Sequence, residues 1–162
     1  MKTAIIFTTN HGATEKVAHL IGETLKNNSV EYFNLKNNPK IDLADFDTIV
    51  IGSSIHAGKN QSEVRKFIKN DTLKLLQMKI ALYLCCMNQP QEQAEFEIAY
   101  PELLRKHSVY NAIVGGEYAF EKMNFIEKFL VRKISGVSST TSKLRYTEIN
   151  NLVNSIDNEN SI

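Results

Sequence analysis

The chain has 162 residues and 43% hydrophobic content, enough for one domain, 1–162, with a real core. Its net charge of +1 sets up no strong field toward nucleic acid. No apolar stretch approaches the ~20 residues that span a bilayer, and the N-terminus runs straight into a strand pattern with no signal-peptide signature, which points to a cytoplasmic protein.

In chain order, Thr3-Ala4-Ile5-Ile6-Phe7-Thr8 is a short apolar strand. The loop Thr9, Asn10, His11, Gly12, Ala13, Thr14 follows, and then an amphipathic helix with Val17, Ala18, Ile21 and Leu25 on one face. Residues 30–35 form a second strand with polar gaps that suit a sheet edge, and Pro39 breaks the chain after it. Residues 47–52 are a short buried strand. Its continuation into Gly52-Ser53-Ser54, followed by Gly58, predicts a loop rather than more ladder. Residues 62–76 are an amphipathic helix, and 79–86 a long apolar strand ending in Cys85 and Cys86. Adjacent strand residues point to opposite faces, so this pair predicts two reduced thiols. Pro90 opens a helical stretch to Lys106, with a kink near Pro101. Residues 109–114 make the fifth strand, ending at Gly115-Gly116, and 147–156 make the last helix.

Strands alternating with helices, the strands β-branched and apolar, predict a parallel sheet covered on both faces. Five strands in this length fit the doubly wound order 2-1-3-4-5, with a ligand at the carboxyl ends of the strands. The four histidines lie without Cys or carboxylate partners at ligand spacing, so no metal site is expected.

The loop at 9–14 joins a strand to a helix N-terminus, where first-turn N–H groups lack intrahelical partners and the helix dipole is positive. G-x-G-x-x-G is absent, and so is a Gly-Lys-Ser/Thr ending. Thr-x-x-Gly-x-Thr directly after the first strand resembles the phosphate loop of flavodoxins, which holds the 5′-phosphate of FMN. The resemblance implies a flavodoxin-like α/β fold. It also implies that Thr9, Asn10, His11, Gly12, Ala13 and Thr14 hold the phosphate. Ser53, Ser54, Ile55, His56, Ala57 and Gly58 would lie along the flavin ring, Met87, Asn88 and Gln89 at its polar edge, and Gly115 and Gly116 beside it. His11 stands where that loop usually has a hydroxyl residue. Neither ring loop contains an aromatic residue, so the Trp/Tyr sandwich of shuttle flavodoxins is missing there, and the near-neutral charge is unlike those acidic carriers.

Between the fifth strand and the last helix, residues 119–134 add an amphipathic helix. Met123, Ile126, Phe129, Leu130 and Ile134 recur at three- and four-residue spacing, opposite Lys122, Lys128, Arg132 and Lys133. Such a helix either packs on the domain edge or meets a membrane or an apolar substrate. With this insert the chain resembles the flavodoxin-type, menaquinone-dependent protoporphyrinogen dehydrogenases. That resemblance implies an FMN-dependent oxidoreductase acting on protoporphyrinogen IX or a similar planar substrate, with a quinone as acceptor. It leaves room for peripheral contact through 120–134 with the inner face of the cell membrane. The alternatives are an electron-transfer protein serving a protein partner and a flavin-free interaction module.

Overall fold

The computed structural model describes residues 1–26, 29–56, 59–60 and 62–158. The central apolar runs are buried on both faces because alternate side chains enter two separate cores. The strands are β1 (Lys2–Phe7), β2 (Ser29–Asn34), β3 (Thr48–His56), β4 (Lys59–Asn60), β5 (Lys79–Cys85), β6 (Asn111–Ile113), β7 (Glu117–Tyr118) and β8 (Thr141–Ser142). The helices are α1 (Ala13–Thr24), α2 (Ser62–Leu75), α3 (Glu92–Ala99), α4 (Glu102–His107), α5 (Phe125–Ser135) and α6 (Tyr146–Asn158). Along β1, Ala4 and Ile6 face one core while Ile5 and Phe7 face the other. The first core is closed by α2, α3 and α4 through Val64, Phe67, Ile68, Phe96 and Leu104. The second is closed by α1 and α6 through Val17, Ala18, Ile21, Ile149, Leu152, Val153 and Ile156.

The main sheet runs β2-β1-β3-β5-β6, all pairs parallel, with β4 antiparallel on the end of β3. Counting the five parallel strands alone, this is the expected 2-1-3-4-5 order. The carboxyl ends of β1, β3 and β5 therefore open at one edge of the sheet, beside the switch in direction between β1 and β3.

Four boundaries differ from the sequence expectation. The predicted loop at 53–56 is strand: Ser53 and Ser54 pair with Leu84 and Cys85, and Ile55 and His56 pair with Asn60 and Lys59. The continuing ladder with β5 outweighs the weak strand preference of serine. The stretch 90–106 is two helices, because the residue before Pro101 is driven out of the α region; Tyr100 has φ −126° and ψ 125°. The fifth strand pairs regularly over three residues only, although Val109 and Val114 still donate to Ile80 and Leu84 at 2.9 and 3.0 Å. The insert is more than a helix. The antiparallel pair β7–β8 closes its base, and a 3-10 turn (Phe120–Lys122) precedes α5. Met123 lies outside α5 and is buried.

One cross-strand contact ties the sheet to its edge. Gly52 on β3 stands opposite Tyr83 on β5. The Tyr83 ring lies across Gly52 so closely that a Cβ there would sit 1.9 Å from Tyr83 Cζ. The ring thereby reaches over β3, and its hydroxyl donates to the Thr14 carbonyl at 2.9 Å. Replacing Gly52 with Ala is expected to cost at least about 1–3 kcal/mol through overpacking. Tyr83→Phe, which removes only the hydroxyl, is expected to cost about 1 kcal/mol. Denaturant midpoints of the two variants check both values, and a Gly52→Ala protein as stable as the parent would contradict the packing.

Candidate functional site

The site starts at the end of β1. Thr8 is fully buried, and its Oγ1 finds no hydrogen-bond partner among the described residues. Gly12 takes φ +95°, a left-handed conformation that suits glycine, and its N–H donates to Thr9 Oγ1 at 2.8 Å. Gly12 is also the N-cap of α1, and it offers no side-chain acceptor to the first-turn amides. That leaves a cup of backbone N–H donors at a positive helix end with no internal acceptor from the cap, an arrangement able to receive an anion. Thr14 is buried beneath it, with its hydroxyl in contact with the Cys85 thiol.

The cup opens into a cleft of about 570 Å³, within the ~300–1,000 Å³ usual for small-molecule sites. From the expected positions it is lined by Thr9, Asn10, His11, Ala13, Thr14, Ser54, Ile55, Met87, Asn88, Gln89 and Gly116. Gly12 shapes the loop without lining the cleft. Ser53 is fully buried inside β3 and does not line it either. His56 is the last residue of β3, and Ala57 and Gly58 lie outside the described residues. Gly115 sits one residue back from the lining, its carbonyl accepting from the Cys86 N–H at 2.7 Å.

The opposite wall comes from the insert, for which the sequence allows packing on the domain edge or contact with a membrane or an apolar substrate. Tyr118 of β7 and Leu130, Val131, Ile134 and Ser135 of α5 line the cleft, together with Met123, Val137 and Lys143. Tyr118 supplies an aromatic ring that neither ring loop could, with Ser135 beside its hydroxyl. A local signal for it was present: Tyr118 lies two residues past the glycine pair at 115–116. Two contacts dock this wall, one on the loop and one on the first turns of α1. His11 Nε2 lies 3.4 Å from Glu127 Oε1, and Lys16 Nζ lies 2.9 Å from Glu117 Oε2. α5 is held at its start by a capping box between Asn124 and Glu127 and ends at Gly136 in the left-handed region.

None of the side chains of α5 is fully buried. Phe125 is 84% exposed, Ile126 75%, Phe129 61% and Ile134 73%. The helix is therefore not packed down on the domain edge.

At the end of β5, the Cys86 thiol donates to Glu95 Oε2 at 2.7 Å, and Asn88 Nδ2 donates to Glu95 Oε1 at 3.2 Å. This holds the Glu95 carboxylate on the cleft lining. Burial pushes the Cys85 thiol up to about 12, and burial together with the Glu95 hydrogen bond pushes Cys86 up to about 12. At pH 8 only about one thiol in ten thousand is then ionised. Alkylation of the folded protein by a thiol reagent at pH 8 is expected to be slow at both cysteines and to become fast only on unfolding. Rapid labelling of the native chain would contradict this environment.

The family model described as "Flavodoxin domain" matches residues 4–144. The protoporphyrinogen IX dehydrogenase [quinone] of Escherichia coli K12 is 23% identical over 166 residues, covering 95% of this chain and 92% of that protein. Two solved structures from Bacillus cereus share the fold. Oxidised flavodoxin 2 has a TM-score of 0.55 at 21% identity, and oxidised flavodoxin 1 a TM-score of 0.51 at 24% identity. Each covers 71% of this chain and 82% of its own.

Proposed function

The chain belongs to the flavodoxin domain family, and on that premise we propose that it is an FMN-dependent oxidoreductase that oxidises protoporphyrinogen IX or a similar planar substrate and passes the electrons to a quinone. The observation that carries this function is the second wall of the cleft. A carrier needs only to cover its flavin; here a helix with an incompletely buried apolar face stands across the cleft from the phosphate cup.

The residues fit the cofactor. The uncapped first turn of α1, the left-handed Gly12 and the hydroxyls of Thr9 and Thr14 form a cradle for a phosphate monoester. Thr14 can accept from the Cys85 thiol and still donate its own proton to an anion. Ser54 and Ile55, with the backbone of His56, would lie along the ring, and Met87, Asn88, Gln89 and Gly116 at its other edge. Bound FMN would supply the redox chemistry, taking up a hydride or electrons from one partner and releasing them to another. The protein's share is to orient and desolvate. Leu130, Val131 and Ile134 offer an apolar surface to a flat substrate, Tyr118 offers a ring to stack on, and Lys143 offers a cation for a substrate carboxylate. The outward side chains of Phe125, Ile126 and Phe129, with Lys128, Arg132 and Lys133 on the same helix, suit peripheral contact with an anionic membrane surface, where lipid-soluble quinones reside. No helix among the described residues is long and apolar enough to cross a membrane.

Three experiments test this function. Thr14→Val is expected to weaken FMN binding roughly tenfold or more, since it removes a donor to a charged group; unchanged affinity would contradict the cradle. In anaerobic mixing, the FMN-loaded protein is expected to be bleached by protoporphyrinogen IX and recoloured by a menaquinone analogue. Leu130→Ser/Ile134→Ser is expected to raise KM about tenfold with little change in kcat. Reduction by a flavodoxin reductase but not by porphyrinogen would overturn the enzyme and leave an electron carrier.

A further inference from the structure

The loop at 9–14 contains no lysine or arginine, yet a phosphate monoester brings close to two negative charges. The fold carries two lysines to that loop from distant parts of the chain. Lys36 follows β2, where the Leu35 N–H is pinned to the Phe7 carbonyl at 2.8 Å, and its ammonium donates to Asn10 Oδ1. Lys122 ends the 3-10 turn of the insert, its own N–H donating to the Ala119 carbonyl at 2.9 Å. A Cβ built on Gly12 would lie 3.1 Å from Lys122 Nζ. The contacts that dock the insert, His11 with Glu127 and Lys16 with Glu117, occupy the neighbouring carboxylates. Among the described residues, neither Lys36 nor Lys122 forms an ion pair with a carboxylate.

We infer that Lys36 and Lys122 bracket the phosphate loop and supply the counter-charge for the phosphate monoester bound there, which makes the insert part of the cofactor site as well as its substrate wall. The bracket presupposes FMN as the ligand of the loop. It differs from a hydroxyl-only cradle in two ways: affinity depends on salt, and it depends on a residue more than a hundred positions beyond the loop. An ammonium in the ~6 Å range of a phosphate, partly screened by solvent, changes affinity by a factor of about three to ten.

The test is a titration of the apo-protein with FMN and with riboflavin, at low and moderate salt. The proteins are the parent, Lys36→Gln, Lys122→Gln, the double variant and Lys122→Arg. Each single Gln variant is expected to lose about three- to tenfold in FMN affinity with riboflavin unchanged. The double variant should show a flattened salt dependence, and Lys122→Arg should keep the parent's preference. An unchanged FMN-to-riboflavin ratio in the double variant would overturn the bracket and leave FMN as the cofactor. Equal losses for both ligands, or a Lys122→Arg defect matching Lys122→Gln, would also overturn it, because the role would then not be one of charge. A parent protein with no preference for FMN over riboflavin would overturn the bracket and the cofactor together.

Discussion

The contact between Gly52 and Tyr83 decides where the functional edge can be built. A phosphate cup at a helix N-terminus works only if the helix start is held still against the sheet. Here the anchor is a phenol that crosses the neighbouring strand. Any side chain at position 52 would occupy the space of the ring. The ring's hydroxyl bonds the Thr14 carbonyl, and the Tyr83 carbonyl in turn accepts from Tyr100, whose hydroxyl also reaches the Ile51 carbonyl. Burial pushes both phenols well above their ordinary pKa, so they remain neutral donors. A line of buried hydrogen bonds thus runs from α3's end through β5 and β3 to the first turn of α1.

The insert is the second constraint, and it works differently. The core helices are held by apolar burial; α5 is held by its capping box, by the β7–β8 closure at its base and by polar contacts to the loop. An element attached in this way leaves its apolar side chains available, some toward the cleft and some toward solvent. An opening of the insert would disturb the cleft wall without unfolding either core, since both cores are complete without α5. This separation lets the wall of the cleft vary while the loop at the start of α1 keeps its shape.

How much of this was legible in the sequence follows from the range of the interactions involved. The strands came from alternation and β-branched runs, because burial on both faces of a parallel sheet imprints each strand locally; their order followed from the doubly wound arrangement that five strands in this length fit. The loop at 9–14 was legible because its glycine and hydroxyls answer to local backbone geometry. The strand at 53–56 was not, since its ladder depends on partners at 59–60 and 84–85. Lys36 and Lys122 were missed for the same reason. Nothing near them in sequence announces the loop they approach, and only the closure of β7 on β8 and the pairing of β2 with β1 bring them there. The apolar period of 123–134 correctly indicated an amphipathic segment. Period alone could not tell that Met123 would leave the helix and be buried beside the cleft while Phe125 and Ile126 stayed in solvent.

The most direct test of the central claim, that the cup and the insert form one phosphate-gripping site, is amide hydrogen exchange with and without FMN. Protection is expected to rise at the amides of residues 10–15 and, in the same titration, at 118–130. FMN-dependent protection confined to other parts of the sheet, or none at either segment, would contradict it.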